Sequence, residues 1–252
     1  LLTAAGSREP ARFPGPTYSD LGYLLAAEML QRATQESLDA LVRRQVTAPL
    51  GLSAGSARQW LSLERQPLPW VPTEWIAWRG GRLRGVVHDE NSWAFAGHGL
   101  AGPAGLFGDA ESVCRLGAAL LEVLRGPGQD WLQRAHLERL LAESPGTTLR
   151  TGFDGRSAQG STAGNLAGPA SFGHLGFTGT SFWCDPQEQR VTVLLTNRVY
   201  FGRSPEAIRR ARPMAHDALA AWSRSPAARE GSPVNPLRSP VEAPCVSALS
   251  VV

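Results

Sequence analysis

The 252-residue chain has no lysine: all 25 of its Lys and Arg residues are arginine. That absence excludes a lysine nucleophile, Schiff base, P-loop lysine or lysine general base anywhere in these residues. No apolar run approaches the length needed to span a bilayer. Cysteine is scarce, with three residues in all, Cys114, Cys184 and Cys245. Their spacing fits no metal site. Cys114 falls in a helical pattern and Cys184 in a strand, so both read as small buried apolar side chains rather than a disulfide framework. The net charge of +3 is too small to argue for a nucleic-acid partner. The arginines are also scattered, apart from Arg209, Arg210 and Arg212. There is no internal repeat. The first residue is Leu1 rather than Met, so an upstream leader would lie out of view and the compartment stays open.

What is present reads as helices first, then strands. Residues 1–17 are a loop rich in Gly and Pro. Ser19 or Asp20 caps a helix to about Thr34, with Leu21, Leu24, Leu25, Met29 and Leu30 as its apolar stripe. Ser37 opens a second helix that stops before Pro49-Leu50-Gly51. Residues 53–105 have no clean period and carry five tryptophans and several prolines, a length of irregular chain that is often functional. Asp109 caps an amphipathic helix through Leu124, and a shorter helix covers Trp131–Ala142. A polar Gly-rich connection runs over 152–171. The stretch 172–183 is expected to be one strand, turning at 185–189 into an apolar strand over 191–197 that suits burial on both faces. A helix broken or begun at Pro213 ends near Trp222, and a Ser, Pro and Ala-rich tail follows over 223–252, expected to be disordered. The order suggests an α+β or antiparallel-sheet α/β architecture, with 1–222 as the folded domain.

The strand from Phe172 to Trp183 is unusual in carrying three glycines beside a titratable His174 and a hydroxyl, Thr178. Glycine inside a strand marks a place where a ligand or another backbone comes close. The plainer account is a bulged strand with a satisfied histidine. Tyr18-Ser19-Asp20 stands at a helix N-terminus, where positive helix-end potential favours phenolate, lowers the tyrosine pKa and makes Tyr18 a candidate base. The alternative there is an ordinary aromatic staple before a cap.

Two further pattern matches fail on context. Gly51-Leu52-Ser53-Ala54-Gly55 fits a nucleophile elbow, but an elbow needs a buried strand before it and here an amphipathic helix and Pro49 precede. Gly97-His98-Gly99-Leu100-Ala101-Gly102 fits a dinucleotide fingerprint, yet Pro103 and Gly105 intervene before the next helix. His88-Asp89-Glu90 with His98 has no metal-ligand spacing and reads as a polar network tying a glycine-rich loop. His136 and His216 read as surface or satisfied histidines.

Taken together and in order, Tyr18-Ser19-Asp20, Pro49-Leu50-Gly51, Pro72-Thr73-Glu74, Val87-His88-Asp89-Glu90-Asn91, Ala104-Gly105-Leu106-Phe107 and His174-Leu175-Gly176-Phe177-Thr178-Gly179 form a series. It resembles the serine β-lactamase and penicillin-binding-protein-like superfamily, in particular its class C-like hydrolases and esterases. The superfamily signature is S-x-x-K, then Y-x-N or S-D-N, then K-T-G. The resemblance implies an α/β (α+β), β-lactamase/transpeptidase-like fold: an antiparallel sheet flanked by helices plus a mostly helical lobe. It implies that Tyr18 helps activate the nucleophile and that Asp20 falls where Asn is usual. His174-Leu175-Gly176 takes the place of K-T-G, and the Phe177 backbone N–H supplies half of an oxyanion hole. His174, Gly176, Thr178 and Asp20 would then contact substrate, a small-molecule ester or amide, with peptidoglycan-derived fragments in scope. No cofactor and no metal are called for, and neither is nucleic acid. Leu175 lacks the hydroxyl that would hold a substrate carboxylate, which favours esterase-like chemistry.

The S-x-x-K element cannot be here, since there is no lysine. The expectation is therefore of an N-terminally truncated hydrolase, with the first strands and the nucleophile helix upstream of Leu1-Leu2-Thr3. In such a chain the strand over 191–197 would be left as an open edge, giving low stability or aggregation alone. The rivals are a non-catalytic binding module of the same fold and an α/β-hydrolase using Ser53.

Overall fold

The computed structural model describes residues 18–62 and 70–225 and the strand Cys245–Ala248. The loop over 1–17, with its Leu1-Leu2-Thr3, and most of the tail beyond 225 lie outside the described residues. The chain forms two compact units, one of Leu1–Pro49 with Ser53–Phe107 and one of Leu50–Leu52 with Gly108–Val252.

The first unit is mainly helical. Helix α1 (Asp20–Thr34) is capped by Ser19, whose Oγ accepts from Leu21 N at 3.2 Å, so the cap is Ser19 and not Asp20. Helix α2 (Leu38–Val42) is capped by Ser37 and runs on into a single π turn, Arg43–Thr47, before Pro49 ends it. Strand β1 (Ala54–Ser56) leads into α3 (Ala57–Leu61) through a capping box between Ser56 and Gln59. This satisfies two helix-end donors reciprocally. A small hairpin of β2 (Trp75–Ile76) and β3 (Gly81–Arg82) precedes α4 (Glu90–Ala96), and β4 (Leu106–Gly108) returns to pair with β1. Among its described residues, the stretch without a sequence period is thus short elements joined by turns.

The second unit is a five-stranded sheet between two helices. Helix α5 (Ala110–Arg125) is capped by Asp109, whose Oδ1 accepts from Ser112 N at 2.7 Å. After the hairpin β5 (Gly128–Gln129) and β6 (Leu132–Gln133), helix α6 (Arg134–Leu140) follows. Strands β7 (Asp154–Gly155), β8 (Phe172–Leu175), β9 (Ser181–Asp185) and β10 (Arg190–Leu194) are antiparallel neighbours in chain order. Helix α7 (Glu206–Ser223) follows with Pro213 inside it. Strand β11 (Cys245–Ala248) then pairs parallel to β10, Val191 opposite Cys245 and Leu194 opposite Ala248.

Three expectations change here. The single strand expected over 172–183 is two strands, because the chain turns at Gly176–Thr180, where Gly176 N donates to Thr180 O at 2.8 Å. Gly173 sits where β8 and β9 come so close that a Cβ would meet Phe182 O. The tail expected to be disordered from Ser223 contributes β11, and the outer edge of β10 is therefore paired rather than open. Cys114 is disulfide-bonded and not a free core thiol, whereas Cys184 is free and fully buried, as read from its strand.

Strand β10 is buried along its whole length, and alternate residues explain why. Val191 and Val193 join Cys184, Phe172 and the Cys114, Leu120, Leu121 and Val123 face of α5 in one core cluster. Gly117 lets that helix approach, since a Cβ there would stand 2.6 Å from Val191 Cγ1. Thr192 points the other way and bonds His216 of α7. Side chains alternating across a strand are what give a sheet two such faces. Among the described residues no helix is long and apolar enough to cross a membrane.

Candidate active site

The residues singled out from the sequence fall into two groups, one in each unit. Tyr18 and Asp20 stand in the helical unit; His174, Gly176, Phe177 and Thr178 stand together in the sheet unit.

In the helical unit Tyr18 is 65% exposed at the entry to α1. Its phenol is held above its ordinary pKa, first by local desolvation and then by Asp20, Tyr23 and Asp89. The lowered pKa expected from the helix end is thus reversed, first because partial desolvation disfavours the phenolate and then because Asp20, Tyr23 and Asp89 add negative charge beside it. Asp20 Oδ2 accepts from Asn91 Nδ2 at 3.1 Å, which ties α1 to α4. Just before α4, His88 Nε2 lies 2.8 Å from Glu74 Oε2, with both side chains largely buried. Arg79 donates to His88 O at 2.9 Å and Val87 O at 2.6 Å while stacking 4.4 Å above Trp93. The segment expected to be a polar tie is one. Among the described residues no group of His, Cys, Asp or Glu is placed to hold a metal ion. His98 is exposed and uses its backbone carbonyl to accept from Arg58 N at 2.8 Å.

Ser53 is exposed and follows the α2 helix, the π turn and Gly51, with β1 beginning only after it. No strand feeds it, so the geometry of a nucleophile elbow is not met. Gly97–Gly102 likewise follows helix α4 instead of a strand. The loop is anchored by Asp39, a buried residue whose Oδ2 accepts from Leu100 N at 3.2 Å and whose Oδ1 accepts from Ser56 Oγ.

In the sheet unit the turn Gly176–Thr180 is gripped from outside. Arg212 Nη2 donates to Gly176 O at 2.7 Å and to Thr180 O at 2.9 Å. Arg198 Nε donates to Phe177 O at 2.8 Å, and its guanidinium lies 4.7 Å over the Phe177 ring. Thr196 Oγ1 donates to Gly179 O at 2.9 Å. Gly179 has φ +115 and Gly176 has no room for a Cβ beside Thr180 Oγ1, so both need glycine. His174 Nδ1 is 2.9 Å from Leu175 O, at the end of β8. Phe177 is 56% exposed and Thr178 half-buried.

Behind the turn, Ser181 Oγ is 2.8 Å from His216 Nε2, and His216 Nδ1 is 2.8 Å from Thr192 Oγ1. Burial first, and then Arg212, push the His216 pKa down to about 4. His216 is thus the satisfied histidine its helical position suggested, and His136 is exposed. Arg198, Arg212 and Asp39 escaped the sequence reading. A signal for Arg212 exists: Ile208, Arg212, His216 and Ala220 recur every four residues and are the buried positions of α7.

A family model described as Beta-lactamase matches residues 1–215. A protein of Salmonella gallinarum named "Putative D-alanyl-D-alanine carboxypeptidase" is 30% identical over 202 residues, 72% of this chain and 45% of its own. A protein of the same name from Salmonella agona matches to the same extent. The chain therefore spans about half the length of the curated relatives it matches. Among solved structures, simvastatin synthase from Aspergillus terreus aligns with a TM-score of 0.55 at 16% identity, over 80% of this chain and 55% of that one. A β-lactamase from Mycobacterium bovis aligns at 0.53 and 16% identity, over 82% of this chain and 64% of that one. Both share the fold.

Proposed function

Since the chain belongs to the Beta-lactamase family, we propose that it contributes residues to a serine hydrolase that cleaves a carboxyl ester or amide through an acyl-enzyme. The nucleophile is assigned to a Ser-x-x-Lys segment outside these residues, which hold no lysine. The observation that carries the reading is the Gly176–Thr180 turn. Directly after His174-Leu175-Gly176 it is held by side chains on the carbonyls of Gly176, Phe177, Gly179 and Thr180. Donors fixed before reaction stabilise developing charge without reorganising during it.

In this reading the serine Oγ attacks the substrate carbonyl and its proton passes to the lysine and Tyr18. The oxyanion accepts from Phe177 N–H and from the serine's own N–H. Collapse expels the alcohol or amine, which takes the proton back, and water then releases the acyl group. Tyr18, a neutral phenol in its carboxylate surroundings, serves as proton relay rather than as a standing phenolate. Asp20 in the helical unit and His174, Gly176 and Thr178 in the sheet unit are assigned to substrate contact. The substrate class is a small ester or amide, with peptidoglycan-derived fragments in scope given the names of the relatives.

The test is made on the complete gene product with p-nitrophenyl acetate and a fluorophosphonate probe, the labelled residue being located by mass spectrometry. Labelling of a serine in an upstream Ser-x-x-Lys, and a kcat at least about 100-fold lower in Tyr18→Phe, support the reading. Full activity in Tyr18→Phe overturns it. Labelling at Ser53 moves the chemistry to that residue, and absence of both labelling and turnover leaves a non-catalytic binding module.

A further inference from the structure

The acyl-transfer reading does not use the buried guanidinium of Arg212. Arg212 is 7% exposed, sits on the inner face of α7, and commits one nitrogen, Nη2, to the two carbonyls that open and close the Gly176–Thr180 turn. Its Nε is buried with no hydrogen-bond partner. A buried guanidinium with an unsatisfied N–H costs stability. Burial, and after it Arg198, bring its pKa down to about 10, so it stays charged at neutral pH. One helical turn further on, His216 engages Ser181, the first residue of β9. Helix α7 therefore reaches both the turn and the strand it feeds.

We propose that Arg212 is a positioning residue of the acyl-transfer site, clamping Gly176 O to Thr180 O so that the Phe177 N–H between them is held where an oxyanion forms. The inference rests on the hydrolase reading above. Gly176 N already donates to Thr180 O and Gly179 N to Gly176 O, at 2.8 and 3.1 Å. These internal bonds close the turn, and Arg198 and Thr196 hold its middle at Phe177 O and Gly179 O. Arg212 ties it to a helix that packs on β10. Because a single nitrogen makes both bonds, an ammonium group can replace it, whereas an apolar side chain of similar length cannot.

The experiment compares wild type, Arg212→Met and Arg212→Lys in the complete gene product, by steady-state hydrolysis of p-nitrophenyl acetate and by amide hydrogen exchange of peptides from 172–183 and 190–195. Arg212→Met is expected to lower kcat at least about tenfold with KM within about twofold, and to speed exchange in 172–183 about tenfold with 190–195 unchanged. Arg212→Lys is expected to recover kcat to within about threefold of wild type. Wild-type kcat in Arg212→Met overturns the clamp while leaving the hydrolase reading intact. Equal losses in both variants, with exchange raised across both peptides, show a purely structural role and also overturn it. If Arg212→Met does not fold, Arg212→Lys decides alone: near-wild-type kcat and exchange in 172–183 support the clamp, and a tenfold loss overturns it. A wild type that neither turns over ester nor labels at any serine removes the hydrolase reading, and the clamp's catalytic role falls with it.

Discussion

The sheet unit and the helical unit solve the same problem by different means. In the sheet unit, apolar side chains from α5 and from β8, β9 and β10 form one continuous cluster that includes Phe172, Val191 and Val193. In the helical unit the buried cluster is small, Ala27, Leu38 and Leu100 with Val42 against it. Separate polar ties do much of the rest: Asp39 to Leu100 N, Ser56 to Gln59, His88 to Glu74, Arg79 to two carbonyls. Apolar burial is non-directional and spreads over many contacts, whereas a buried hydrogen bond is local and costly to leave half-made. The sheet unit should therefore respond to lost volume and the helical unit to lost partners.

The largest expected effect is in the sheet core. Phe172→Ala removes a ring that is 1% exposed and packed edge-on to Phe153 at 5.4 Å. It should cost about 4 kcal/mol by denaturant unfolding, and a cost below about 1 kcal/mol would break the picture of a tight apolar cluster.

Next comes a histidine buried on the inner face of α7. His216 has a folded pKa lowered from 6.5 to about 4. The unfolded chain binds the proton first, so this stability is present above about pH 6.5 and is lost as pH falls toward 4. The loss is about 3 kcal/mol. The stability difference between wild type and His216→Gln, followed from pH 7.5 to 4, should change by that amount in that window. A difference independent of pH would show that folding leaves the His216 pKa unshifted.

In the helical unit, Asp39→Ala strips acceptors from Leu100 N and Ser56 Oγ and should cost about 2 kcal/mol, read by the same unfolding measurement. If it costs nothing, the polar ties are not what holds that unit. The smallest effect is expected for Glu74→Ala, about 1 kcal/mol, with amide exchange rising locally over 86–90 and the sheet unchanged.

Much of the scaffold was legible from local patterns. Ser37 and Asp109 announced their helices by capping chemistry, and Val191-Thr192-Val193 announced a strand buried on both faces. Ser19 was one of two possible caps, and only its bond to Leu21 N decided between it and Asp20. The hairpin within 172–183 was missed because glycine and threonine suit both a strand and a turn, and the bond from Gly176 N to Thr180 O is a property of the folded chain. The Tyr18 pKa was read with the wrong sign because the helix end was visible in sequence, while the partial burial of the phenol, and after it the charges around it, depend on the folded chain. The candidate site was legible as motifs, and its supports, Arg198 and Arg212, were not. An arginine in a run of arginines has no mark of burial until the helix phase is set.

By itself the sequence determined what chemistry this chain lacks, since no fold can supply an amine that no residue carries. It also announced the longer helices and the strand over 191–197, and the candidate residues for an acyl-transfer role, because capping, alternation and motif spacing act over a few positions. The tertiary structure decided what depends on neighbours far apart in the chain: that Gly176–Thr180 is a turn held by Arg212, that β11 covers the edge of β10, and that partial burial, with Asp20, Tyr23 and Asp89 after it, raises the Tyr18 pKa. Those outcomes rest on distances through space, which local sequence does not encode.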